Sequence, residues 1–273
     1  MKKFLTVFLL CMFILGAMAA YADQSMVEDQ SNQMIAKARN AVVDQLEGLS
    51  MEMTAAAKVM AIDVGNQTAG LRILNALSDK IPGVVSCSVI DQTGFSFLIF
   101  PQEYNYLKGR NMANYAHYLK VQESKKPVTS RYFLAEEGVL ALEVLQPVLD
   151  ENGKLIGVIS VIFDPGAFLA QALKPLKLNP DKIAVSVTQT DGWILYSPLP
   201  SLTGMNYFRI PRYQKNKELM ALGHKICAEP MGTADYSAPY NDKTYQLHGE
   251  WSTITLFGTN WRLLTEKVLK INK

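Results

Sequence analysis

The chain has 273 residues, of which 49% are hydrophobic, 10% aromatic and 19% charged. Its 17 glycines and 12 prolines exclude a collagen-like or low-complexity polymer, and so low a charged fraction with so many rings excludes a disordered one. Lysine and arginine total 27 against 25 acids, a net charge of +2; with no basic cluster interleaved with aromatics, the chain offers no field for gripping nucleic acid.

The first element is an export signal. Lys2 and Lys3 precede an apolar run from Phe4 to Met18, and Ala20-Tyr21-Ala22 forms a small-x-small cleavage site. The run is short for a hydrocarbon core of ~30 Å, which favours cleavage after Ala22 over a retained anchor. Cys11 belongs to this leader. Removing Lys2 and Lys3 leaves a chain without net charge, expected in the periplasm or secreted. Cys87 and Cys227 remain, and two readings stand: a disulfide, which an oxidising compartment permits, or two buried thiols.

Residues 25 to 63 contain no proline. Met34, Ile35, Ala38, Ala41, Val42, Leu46, Leu49, Met53, Ala56, Val59 and Met60 recur at steps of three and four, which predicts a long amphipathic helix. After a break at Gly65, Asn66 to Leu77 continues as a second helical piece. The methionines read as core packing, with a binding face as the other possibility. Val84–Ile90 and Phe95–Phe100 read as a hairpin around the turn Asp91-Gln92-Thr93-Gly94. A short helix is expected from Asn111 to Ser124, then strands at Ser130–Leu134, Val139–Val148 and Leu155–Phe163. Helices on one face of these strands make an α+β module. A helix from Phe168 to Leu178, broken at Pro175, leads to a repeat in outline: strands at Ile183–Thr188 and Trp193–Ser197, a helix from Tyr213 to Cys227, and strands at Gly232–Tyr240, Lys243–Thr255 and Trp261–Val268.

The signatures of common chemistries are missing. There is no phosphate loop, dinucleotide fingerprint or Gly-x-Ser-x-Gly elbow. His117, His224 and His248 are far apart in sequence and no cysteine pair has metal spacing, so neither a metal nor a cofactor is expected. Asp91, Asp150, Asp191 and Asp242 sit at turns, where turn chemistry accounts for them. The chain does not read as an enzyme; a hydrolase would need a nucleophile and base that the sparse histidines do not supply.

The order of features resembles a double Cache sensor, the PAS-like extracytoplasmic module of bacterial receptors. The resemblance rests on the long leading helix, the Val89-Ile90-Asp91-Gln92-Thr93-Gly94 hairpin, Gly109-Arg110-Asn111-Met112, and the run from Leu145-Gln146-Pro147-Val148 through Asp150-Glu151-Asn152-Gly153 to Ile156-Gly157-Val158. Asp191-Gly192-Trp193-Ile194-Leu195-Tyr196-Ser197 and Trp261-Arg262-Leu263-Leu264 fit the same family. It implies an α+β fold with a long N-terminal helix and two PAS-like modules with antiparallel sheets: a signal peptide at 1–22, a helical region at 23–80, a membrane-distal-type module at 81–170 and a second module at 171–273.

The resemblance also implies a non-catalytic sensor that binds a small metabolite in the first module, beneath a cap formed by the short helix. Its amino-acid-binding members place an arginine on that helix and an aspartate on the last strand. The matching positions here are Tyr115 and Ile162, so the expected ligand is not an ordinary α-amino acid but a weakly charged, apolar or aromatic molecule.

The residues themselves point to the same place. Asn114, Tyr115, His117 and Tyr118 concentrate hydrogen-bonding rings on a short segment, and Arg131 and Tyr132 open the next strand. Arg131 has the fork to hold a carboxylate. The plainer alternative is tyrosines packed on the sheet with Arg131 in solvent. In the second module Trp193, Tyr196, Tyr207, Arg209 and Tyr213 make either another pocket or ordinary core. The sequence runs only a few residues past its last strand, so two readings stand: the chain hands its ligand-dependent shape to a separate membrane receptor or kinase, with the long helix as contact or homodimer surface, or it simply binds and buffers a ligand. The competing reading is a ligand-free envelope assembly protein, with a filled pocket and an exposed apolar stripe on the Met34–Met60 helix.

Overall fold

The computed structural model describes residues 32–240 and 243–272. The leader at 1–22, the start of the long helix and the turn at Asp242 lie outside them. Helix α1 runs over 32–60. Its buried residues are Ala38, Val42, Leu46, Leu49, Met53, Ala56, Ala57 and Met60, one stripe at helical spacing. Met53 and Met60 are core, whereas Met51 is 68% exposed. The break comes at 61–66, and Asn66 caps α2 (Gln67–Lys80) by accepting from the Ala69 amide at 3.0 Å. Among the described residues no helix is long and apolar enough to cross a membrane.

The first sheet contains β1 (Val84–Asp91), β2 (Ser96–Phe100), β3 (Val128–Thr129), β4 (Phe133–Leu134), β5 (Leu140–Leu149) and β6 (Leu155–Phe163). Its order is β2-β1-β6-β5-β3, all antiparallel, with β4 also on β5. The second holds β7 (Ile183–Gln189), β8 (Ile194–Tyr196), β9 (Met231–Tyr240), β10 (Lys243–Leu256) and β11 (Thr259–Asn272), in the order β8-β7-β11-β10-β9. The two sheets share one topology, in which a hairpin is followed by strands that return beside its first member.

Helices cover both faces of the first sheet, not one. β5 and β6 are apolar almost throughout and are buried on alternate and intervening positions alike, the pattern of strands covered on both sides. One face carries Cys87, Val89, Val144, Ile159 and Val161 into a core shared with α1 and α2. That core continues through α4 (Pro165–Leu173) to Val185, Val187, Trp261 and Leu263 of the second sheet. The other face carries Ile90, Leu145 and Val158, which meet Tyr118 and Val121 of α3 (Ala116–Ser124).

Several boundaries differ from expectation for local reasons. The short helix begins at Ala116 rather than Asn111, because residues 110–112 run as extended chain beside the hairpin: Asn111 bridges Phe95, and the Met112 amide donates to Gly94 O at 2.7 Å. The strand expected at Ser130–Leu134 gives way to two short ones, β3 ending before it at Thr129 and β4 only at Phe133–Leu134. The Ser130 amide donates to Glu143 O at 2.8 Å, but its hydroxyl, not its carbonyl, takes the Glu143 amide at 2.8 Å, and the ladder ends there. The helix expected at Tyr213–Cys227 becomes α5 (Pro211–Gln214) and α6 (Lys217–Ala228), since Asn216 Oδ1 caps the amides of Glu218 and Leu219. Arg262, buried on β11, donates to the carbonyls of Ile226, Cys227 and Glu229 and so ties the end of α6 to the sheet.

Asp91 and Asp150 do turn work: each Oδ1 accepts two backbone amides within its hairpin. Cys87 and Cys227 are free thiols, and burial pushes both above the usual thiol range. Cys87 is therefore expected to resist Ellman's reagent in the native protein and to react only on unfolding; stoichiometric native labelling of Cys87, located by peptide mass, would contradict its buried placement.

Candidate functional site

Strand alternation builds the site. On β1, Cys87 and Val89 enter the core, so Ser86, Ser88 and Ile90 face the other way, into a cavity of about 660 Å³. Cross-strand register extends this face. Ser86 pairs with Ile162 of β6, which pairs with Glu143 of β5; Ser88 pairs with Ser160 in the next row. Four polar side chains thereby reach one floor across three strands. The α3 helix, the 107–115 loop and the 128–137 segment form the walls.

Glu143 is the chemical centre of the floor. Its side chain is 3% exposed, and it is the one charged residue of a strand whose other residues are apolar except Gln146. Ser160 Oγ donates to Oε1 at 2.6 Å, and His117 Nε2 lies 2.6 Å from Oε2. A carboxylate only accepts, so this contact sets the imidazole tautomer with Nε2–H toward it. Ser86 Oγ donates to Glu137 Oε1 at 2.5 Å. At the rim, Arg110 pairs with Glu136 and donates to the Tyr115 hydroxyl, clasping the 107–115 loop to the turn before β5. Arg110, Lys120, Arg131 and His117 thus face Glu136, Glu137 and Glu143 around one cavity, an arrangement that can hold separated charges of both signs on a small guest.

Three of the five candidate residues line this space. Tyr115 stands at the rim, 38% exposed, as the N-cap of α3 rather than within it. The His117 ring lies 5.8 Å from Tyr115 and 6.5 Å from Phe133. Arg131 is exposed at the wall. Tyr118 and Tyr132 are elsewhere. Tyr118 is fully buried under α3, its hydroxyl donating to Asp91 O at 2.8 Å. Tyr132 lies in the main core with its ring 5.6 Å from Trp193, and its amide donates to Gln189 Oε1 at 3.1 Å. Burial raises both phenols, that of Tyr132 to about 12, so both keep their protons, and the Tyr118 hydroxyl serves as a structural donor.

Reading the residues singly missed Glu143, Ser86, Ser88, Ser160, Glu137 and Arg110. A signal existed: a charged residue inside the apolar Leu140–Leu149 run, and serines two apart on the first strand. In the second module Tyr207 and Tyr213 line a smaller cavity of about 220 Å³, whereas Trp193 and Tyr196 pack on the core and Arg209 is exposed.

Comparison with known proteins bears on the fold. Residues 44–165 match the family described as HK/GC/Chemotaxis protein-like, sensor domain. No curated protein matches the sequence. Among solved structures, an extracellular ligand binding receptor from Desulfohalobium retbaense is 22% identical over 87% of this chain, with a TM-score of 0.68; the chain spans 40% of that receptor's length. The extracellular domain of the putative histidine kinase rpHK1S-Z16 is 14% identical with a TM-score of 0.64, covering 89% of this chain and 95% of its own. The ligand-binding domain of the Pseudomonas fluorescens chemoreceptor CtaA, in complex with L-isoleucine, is 16% identical with a TM-score of 0.61, over 90% and 95%. Two antiparallel sheets of one topology behind a long helix give this chain an α+β fold of the double Cache kind, similar to these receptor domains, and the match to the HK/GC/chemotaxis protein-like sensor family covers residues 44–165.

Proposed function

We propose that this chain is an exported sensor that binds a small polar metabolite in the first cavity and passes the bound state to a separate membrane receptor or kinase. The division taken with it is a cleaved leader at 1–22, a helical region at 23–80, and modules at 81–170 and 171–273. One observation carries the ligand reading: the Glu143 carboxylate, buried on the floor of a 660 Å³ cavity and approached by His117 and Ser160. A buried carboxylate with lone pairs turned to an open space selects a guest that donates hydrogen bonds or carries positive charge. The floor is more polar than Tyr115 and Ile162 alone implied, so the reading moves from a weakly charged or apolar ligand to a polar one. Tyr115 and Ile162 still stand where the amino-acid-binding members carry an arginine and an aspartate, so a guest of different shape from an ordinary α-amino acid is favoured.

The test is differential scanning fluorimetry of the purified protein against a panel of amino acids, amines, polyols and short organic acids, with native mass spectrometry of gently purified material. A ligand at a hundredfold excess over its Kd adds about 2.7 kcal/mol, a rise of several degrees for a chain of this size. Glu143→Gln and His117→Ala should remain folded and lose that rise. A panel without any shift, together with no co-purifying mass, would refute the sensor reading and favour the ligand-free assembly protein.

A further inference from the structure

The second sheet repeats the construction of the first. On β7, Val185 and Val187 enter the shared core, leaving Ala184, Ser186 and Thr188 to face the 220 Å³ cavity beneath α6. On β11, Leu263 enters the core, and Leu264, Glu266 and Val268 face the cavity. The chemistry differs from the first cavity. No lysine, arginine or histidine lines it, while Asp181 and Glu266 do. Four tyrosines, Tyr207, Tyr213, Tyr236 and Tyr245, join them.

These rings are held, not incidental. The Tyr207 hydroxyl donates to Leu219 O at 2.9 Å, and its ring centroid lies 4.8 Å from that of Tyr213. A methyl group added at Gly223 would lie 2.3 Å from Tyr207 Cε1, and one at Gly249 would lie 2.9 Å from Tyr236 Cε1, so both rings rest on bare backbone. The Tyr236 hydroxyl donates to Glu266. Among the described residues no basic side chain forms an ion pair with Glu266, and burial pushes its carboxyl above the usual range despite the Tyr236 hydrogen bond.

We propose that this cavity is a second ligand site, selective for a small organic ammonium cation. A tyrosine face attracts a cation, most strongly when water is excluded; Tyr213 already lies against Arg212, 5.3 Å from its ring centroid, which leaves Tyr207, Tyr236 and Tyr245 to meet the guest. A buried carboxylate without a basic partner gains the counter-ion that the fold does not supply. A zwitterionic amino acid is disfavoured, because its carboxylate would meet Asp181 and Glu266 with no base to receive it. Unlike the first cavity, which Arg110, Lys120 and Arg131 also line, this one offers nothing to an anionic group on the guest.

Isothermal titration of the full chain with choline, and with its neutral isostere dimethylbutanol in which carbon replaces the ammonium nitrogen, tests this. Choline should bind, and the isostere should bind at least about tenfold more weakly, the loss expected for one cation–π and ion-pair set. Glu266→Gln, which removes a buried carboxylate and should fold, is expected to weaken choline binding about tenfold or more. Tyr245→Leu should weaken it in the same direction while circular dichroism shows a native spectrum. No choline heat at millimolar concentration, equal affinity for the isostere, or choline binding that survives both substitutions would each overturn the proposal.

Discussion

Gly94→Ala is expected to destabilise the protein by roughly 2–4 kcal/mol and to abolish ligand binding in the first cavity, as the sum of backbone strain and overpacking. Gly94 has φ +96, a conformation that L side chains rarely adopt. An added methyl carbon would also lie 2.8 Å from Ala113 N and 2.9 Å from Ala113 Cα. Backbone cannot rotate aside as a flexible side chain can, so either the Asp91–Gly94 turn opens or the 111–115 strip lifts. That strip is held by the Met112 amide on Gly94 O at 2.7 Å, and it carries Tyr115 and then His117 over the floor. Urea unfolding would measure the first effect, and loss of a ligand-induced thermal shift the second. Wild-type stability in Gly94→Ala would mean that this strip does not lie against the turn.

Trp261→Ala should cost about 3–5 kcal/mol, the range for truncating a large buried aromatic. Trp261 is fully buried on β11, in the same continuous core as Leu49 and Met53 of α1, Val161 of the first sheet and Phe168 of α4. Its loss therefore removes packing from both sheets at once. Thermal unfolding followed by far-UV and near-UV circular dichroism should give a single transition, displaced downward by roughly ten degrees. Two separated transitions in the variant would show that the sheets unfold independently, and the shared core would then contribute little cooperativity.

The elements that the sequence revealed are those set by local periodicity. The stripe from Ala38 to Met60 follows from steps of three and four, and β6 is found at its expected limits because Leu155–Phe163 is an apolar run, broken only by Ser160, between a turn and Asp164. The elements misplaced are those decided by a partner distant in sequence. Asn111–Tyr115 has helical composition, yet it pairs with the hairpin beside Phe95. The floor of the site was hidden for the same reason. Glu143, Ser160 and Ser86 become neighbours only through the β1–β6–β5 register, which no single segment encodes. Tyr118 and Tyr132 looked equivalent to Tyr115 as residue types. Which side of a helix or strand each occupies is settled by what packs there, and for both it is core.

The wall of the first cavity is also a mechanical linkage. Thr129, Ser130 and Arg131 line the cavity, while the Thr129 hydroxyl donates to Leu256 O at 3.2 Å, the Thr259 hydroxyl donates to Thr129 O at 3.2 Å, and the Tyr132 amide is bonded to Gln189. Leu256 and Thr259 bracket the tip of the β10–β11 hairpin, whose arms are 14 residues each. A guest that displaced this wall would pull on that tip, and arms roughly 45 Å long, at about 3.3 Å per residue, would carry a small rotation at one end into a larger sweep at the other.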